Sequence, residues 1–185
     1  MLQARTVVGR RARRWRRLAA ALLAMFAAAP AWAQSARSSI SPDGHSLILA
    51  PGELVYVAML PGGRLSLISV KPSPPEAALP PKPGKGDLDP GRLGAIGFIL
   101  GVAADGKSTL KIDSGMSQAI DYGATLRRKA ASADEPARVC TLLPLLASWE
   151  QWPYAVSRLT LTGFAVKSTN EVVCSGPADS KEMFP

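Results

Sequence analysis

From residue 45 onward, proline and glycine cut the chain into short runs of β-prone residues. Residues 45–50 end at Pro51-Gly52, residues 53–60 end at Pro61-Gly62-Gly63, and residues 64–71 run into a proline-rich stretch. Turn residues at that spacing bound strands rather than helices, and these three runs read as a β-meander. Further on, residues 94–103 lead to Asp105-Gly106, a two-residue hairpin signal, because a type I′ turn takes positive φ at both central positions. Residues 108–114 carry alternating Leu110 and Ile112. Residues 119–128 set Ile120, Tyr122, Ala124 and Leu126 against Asp121, Gly123, Thr125 and Arg127. Such a period of two marks a half-buried strand. The same alternation runs through residues 157–167 and slips phase near Gly163, which predicts a bulge. Between these lie a polar loop (129–137), a strand (138–143) and an irregular segment (144–153) with room for a helical turn near 145–151. Residues 171–174 close the set. After residue 33 no segment sustains a capped 3.6-residue period. The expectation is an all-β, single-domain antiparallel β-sandwich, immunoglobulin-like, with about eight strands and little helix.

Seven prolines, Pro72, Pro74, Pro75, Pro80, Pro81, Pro83 and Pro90, fall within residues 72–91. Such a stretch favours an extended polyproline conformation and cannot pair as a central strand. The block before it, residues 40–71, is shorter than the roughly 40 residues below which a domain needs a metal or a disulfide. It is therefore expected to pack onto the C-terminal strands, with residues 72–91 as a long surface loop.

The first 33 residues read as a secretory signal peptide. Seven arginines precede an apolar run from residue 18 to 29, and Pro30 leads into Ala31-Trp32-Ala33 and a polar Gln34-Ser35. A positive n-region, a short apolar h-region and an A-x-A site define such a leader. A membrane span needs about 20 apolar residues, more than this run supplies. No cysteine stands at the cleavage site, as a lipoprotein would require. The reading places the mature domain, residues 34–185, in the periplasm or outside the cell, with no stable membrane span after cleavage. It also relocates the charge. The chain has 22 Lys+Arg and 14 Asp+Glu. Without the seven leader arginines, 15 basic residues face 14 acidic ones, a net of +1. That takes away the basic footprint a nucleic-acid partner needs.

Export bears on the two cysteines as well. In an oxidising compartment Cys140 and Cys174 read as one disulfide. With His45 the only histidine and no CxxC, a Cys2His2 zinc site cannot be built, and neither metal nor cofactor is expected.

The stretch from Gly101 to Ser108 fits G-x-x-x-x-G-K-[ST], the phosphate-cradling pattern. Phosphate binding there needs a helix to start after Lys-Ser, whereas residues 108–114 alternate as a strand. No nucleotide is expected. Asp87-Leu88-Asp89 lacks the further oxygen ligands of a calcium loop. His45 stands beside Asp43-Gly44 in a turn with no orienting partner in view, so no triad is assigned. Asp113, Asp121 and Glu150 are available acids for a two-carboxylate hydrolase. The densest aromatic cluster is Trp149, Trp152 and Tyr154, interleaved with Glu150; it suits either a platform for a sugar ring or partner, or a plug at one end of a sandwich. Arg127-Arg128-Lys129 forms a basic strand tip.

The run Val139-Cys140-Thr141-Leu142-Leu143-Pro144, with Glu150-Gln151-Trp152-Pro153 and then Leu159-Thr160-Leu161-Thr162-Gly163-Phe164, resembles an uncharacterised family of small secreted or periplasmic proteobacterial β-proteins with a Cys-x-x-x-Pro and Glu-x-Trp-Pro pattern. This chain departs from the pattern in placing Leu142-Leu143 between Thr141 and Pro144. The resemblance implies an exported β-domain and no known activity. The functional expectation is an exported non-catalytic β-sandwich that binds an envelope protein or glycan, with Trp149, Glu150, Trp152 and Tyr154 as its candidate contact residues and no catalytic residue assigned. The alternatives are a periplasmic carboxylate-dependent hydrolase acting on envelope polysaccharide and a chaperone-like strand donor.

Overall fold

Alternation sorts each strand's side chains between a shared interior and an outer surface. The computed structural model describes residues 37–80 and 93–177. The leader read in residues 1–33, and residues 81–91 of the proline-rich stretch, lie outside them. The described strands are β1 (Ser39–Ile40), β2 (Ser46–Leu49), β3 (Glu53–Met59), β4 (Leu65–Pro72), β5 (Ile96–Val102) and β6 (Ser108–Ser114), then β7 (Ile120–Arg128), β8 (Glu135–Ala137), β9 (Val139–Cys140), β10 (Ala147–Trp152), β11 (Val156–Val166) and β12 (Cys174–Ser175). Eight of them have four residues or more, and these are the strands that build the sandwich. One antiparallel sheet has the order β1-β2-β11-β7-β8 and the other β10-β6-β5-β3-β4, while β9 and β12 form a two-stranded ribbon.

The two five-stranded sheets bury one common core, which makes the molecule an all-β sandwich. Leu47, Leu49, Leu126, Leu159 and Leu161 from one sheet meet Val55, Val57, Phe98, Leu110 and Ile112 from the other. Phe98 of β5 and Phe164 of β11 meet edge to face across the interior, with ring centroids 6.3 Å apart. The short N-terminal block has no core of its own. Its β2 pairs with β11 and its β3 with β5, so the C-terminal strands complete it. The three N-terminal runs are therefore not one meander, because β2 sits in the opposite sheet from the β3–β4 hairpin.

β5 reads as a continuous apolar run because both its faces are covered. Phe98 and Leu100 point into the core. On the other face the Tyr56 ring lies so close over Gly97 that a Cβ there would sit 2.8 Å from it. A 3-10 turn at Pro75–Ala78 lies over Gly101, where a Cβ would sit 2.6 Å from the Pro75 carbonyl oxygen. The first part of the proline-rich stretch is thus a lid on the sheet rather than a free loop, with Ala78 fully buried.

Several local expectations change. The Asp105-Gly106 hairpin forms, but only Gly106 is left-handed. Ala103 N–H donates to Lys107 O, and Gly106 N–H to Ala103 O, which closes a three-residue loop. The bulge near Gly163 is present as a register shift between Thr162 and Ala165. Residues 147–152, expected to be irregular or helical, form β10 along β6 from Ala147↔Asp113 to Trp152↔Ser108. β8 emerges from the loop expected to be polar and unpaired.

Candidate functional site

β10 is an edge strand, so its side chains alternate between the core and the outer face of its sheet. Trp149 and Trp152 are three residues apart and fall on opposite faces. Trp152 pairs with Ser108, points inward, is 3% exposed and belongs to the core. Trp149 pairs with Lys111 on the outer face and is half-buried. Tyr154, beyond the end of the strand, packs against the core, and the Arg128 guanidinium lies 3.9 Å above its ring centre. That cation–π contact covers the ring face a sugar would need. Glu150 is on the inward side with Trp152, and one carboxylate oxygen, Oε1, accepts the Cys140 N–H at 2.9 Å. The four residues share a strand and its exit without converging on one surface.

The acidic side chains that could serve a hydrolase are held in structural pairs. Asp113 lies 3.0 Å from Lys111. Asp121 accepts the Thr141 hydroxyl at 2.6 Å and lies 3.5 Å from Lys167. Asp134 bridges Arg127 and Arg158 at 2.8 and 2.6 Å. These two guanidinium groups hold its carboxyl below the usual carboxylate range, the Arg158 hydrogen bond contributing most. A depressed carboxyl of this kind adds stability above its unfolded pKa and loses it as pH falls through the folded value. Arg128 is paired with Glu135, so the basic tip expected at Arg127-Arg128-Lys129 has two of its three charges matched. His45 is exposed, and its backbone N–H donates to the Asp43 carboxylate in a turn. Ser108, the last residue of the phosphate-loop pattern, opens a strand. Its hydroxyl donates to Tyr154 O at 2.9 Å and accepts Val156 N–H at 2.8 Å, tying β6 to the β10–β11 crossover.

Cys140 and Cys174 are bonded and stand directly opposite each other in the β9–β12 ribbon. Beside them Thr141 N–H donates to Val173 O, and Val173 N–H to the Thr141 hydroxyl. This ribbon fastens an otherwise exposed C-terminal segment.

Sequence reasoning does not single out two further features. The first is Tyr122, stacked on Phe164 at 5.8 Å with its hydroxyl buried and without a hydrogen-bond partner. Burial raises its pKa, and the Glu150 charge raises it further. A lone buried hydroxyl costs about 1–3 kcal/mol. Tyr122→Phe is therefore expected to stabilise the fold by about 1 kcal/mol, read from the urea midpoint at unchanged slope.

The second is one end of the sandwich. β3 leaves there, β5 enters, β6 leaves and β10 enters, as the pairs Val57↔Ile96, Ile96↔Ser114 and Ala147↔Asp113 require. The connecting loops are tied together: Gly94 N–H donates to Gly115 O, Leu145 N–H to Met116 O and Ser114 N–H to Leu146 O. On their tips Leu93 is 85% exposed, Leu145 58% and Leu146 48%. Leu145 alone among the described non-glycine residues has positive φ, +55°. A leucine held there costs about 1–2 kcal/mol, and its exposed side chain recovers none of it by burial. Asparagine tolerates that conformation, so Leu145→Asn is expected to raise stability by about 0.5–1 kcal/mol in chemical denaturation. In sequence this signal is only Pro-Leu-Leu, which reads equally well as core.

No family model matches the chain, and no curated protein or solved structure matches it.

Proposed function

We infer that this chain is an exported, non-catalytic β-sandwich that binds a component of the cell envelope. One observation carries the reading: an end of the domain that presents exposed leucines on interlocked loops above a rigid two-sheet scaffold. Binding residues concentrate on loops that a stiff framework holds in place. Support for export comes from the arginine-rich leader pattern in the sequence and from the disulfide, which suits an oxidising compartment. The resemblance of residues 139–164 to secreted β-proteins points the same way.

A hydrolase would need two acids converging beside the tryptophans. Glu150 and Asp113 are instead engaged with Cys140 and Lys111. A strand donor or acceptor would use β4, an eight-residue edge with Leu67 and Ile68 exposed. A bulge against β3 and the terminal Lys71-Pro72 interrupt that edge, and both features discourage pairing with another chain.

Fractionation of cells producing the full chain tests the reading. The expected result is an envelope-associated or external protein whose intact mass begins at Gln34 and rises by about two daltons on reduction, one hydrogen per thiol. A cytoplasmic chain that begins at Met1 and releases into the soluble fraction would overturn it.

A further inference from the structure

We propose that the leucine end is a lipid-contacting surface that dips its loop tips into the apolar layer of a phospholipid membrane. The proposal rests on the envelope-binding reading and names the envelope component. Leu60, Leu93, Leu145 and Leu146 are exposed at the same end, from three separate connections. Residues 93–95, 115–119 and 143–146 contain no charged side chain. The opposite end carries the Asp105–Lys107 pair and the Arg127, Arg128, Asp134 and Glu135 cluster. The leucine end also carries charge at its border, with Asp43 and Arg64 in the adjoining β1–β2 and β3–β4 turns and the Lys167–Asp121 pair beside Ala119, so the uncharged tips form a patch within that end.

The form of the surface favours lipid over a folded partner. A stable protein interface buries about 800 Å² per partner in a continuous patch. Here Leu60, Leu93 and the Leu145-Leu146 pair stand on three connections, and the neighbouring 115–119 connection exposes the polar Ser117 and Gln118. Fluid acyl chains close around separate tips at no cost in shape complementarity, whereas a folded protein must present a matching hole for each. Leu145 strengthens the case, because its left-handed backbone holds an exposed apolar side chain that the fold itself does not use. Charge complements the arrangement. Arg64, at the edge of the same end, is exposed, and its backbone carbonyl accepts the Leu60 N–H, which keeps the two residues side by side in the β3–β4 turn. It has no acidic partner among the described residues, and an anionic headgroup would supply one.

Sedimentation of the exported full chain with vesicles tests the proposal. Vesicles of phosphatidylethanolamine and phosphatidylglycerol at 3:1 are compared with pure phosphatidylcholine. The wild type should co-sediment with both, more strongly with the anionic mixture. Leu93→Ser and Leu145→Asn should each lower partitioning about tenfold, and together about a hundredfold, the scale of burying one and two leucine side chains. Neither change removes a buried side chain, so circular dichroism and the urea midpoint should show an intact fold. Arg64→Ala should cost about fivefold on anionic vesicles and nothing on phosphatidylcholine. If the wild type stays in the supernatant with both vesicles while remaining envelope-associated in cells, the lipid assignment falls and the envelope reading stands; a stoichiometric protein recovered by crosslinking at Leu93 has the same meaning. A chain free of the envelope altogether would defeat both.

Discussion

Trp152→Ala is expected to lower the unfolding free energy by about 3–5 kcal/mol, the range for removing a large aromatic from a core. The ring is 3% exposed, points from β10 into the space between the sheets and packs within the main hydrophobic cluster. The comparison that gives the result meaning is Trp149→Ala. Trp149 is on the outer face of the same strand and half-buried, so its truncation should cost less than half as much. Urea denaturation of the two variants separates the roles. Equal and small losses for both would return Trp152 to the surface and restore the aromatic platform as a binding site. The pairing also bears on expression: a domain of this size has a total stability of about 5–15 kcal/mol, so the Trp152 variant approaches the threshold at which folding fails in the cell.

Replacing both cysteines with serine should cost about 3–4 kcal/mol. The bond closes a loop with a sequence separation of 34 residues, and the chain-entropy relation gives that magnitude. The folded side explains why the effect works mainly through the unfolded chain. The C-terminal segment it fastens is exposed from residue 168 to 177, so its release uncovers no core residue of its own. Hydrogen exchange should show this directly. The amides of Thr141 and Val173, which bond across the ribbon, should lose protection in the double serine variant, while Leu110 and Leu159 in the sheets exchange through global unfolding in both proteins. A double variant with unchanged urea midpoint would mean that the ribbon, and not the bond, holds the segment.

Particular elements show how far the sequence could be read. β6 and β7 were legible because one face of each is buried and the other is wet or half-wet, so hydrophobicity alternates along the chain. The slip at Gly163 was legible for the same reason, since an extra residue in one strand reverses the phase. β10 was not. An edge strand between Pro144 and Pro153 with aromatic residues on both faces shows no alternation, and its hydrogen bonds come from β6, about 40 residues earlier in the chain. That error also created the aromatic platform. Read as a loop, Trp149, Trp152 and Tyr154 form one cluster; as a strand and its exit, they separate to the outer face, the core and an arginine-capped corner. The Gly-Lys-Ser pattern is the opposite case. The alternation after it predicted a strand, and Ser108 opens one.

Composition, turn spacing and period thus determined the all-β class, the lengths of most strands and the bond between Cys140 and Cys174, because each depends on neighbours in sequence or on a choice among very few residues. Tertiary structure alone decided which strands share a sheet, which aromatic rings are buried and which loop tips are brought together. Those outcomes depend on partners far apart along the chain: Leu93 and Leu145 are separated by 52 positions and lie at the same end of the domain only because antiparallel pairing sends β5 and β10 into the sheet from that end.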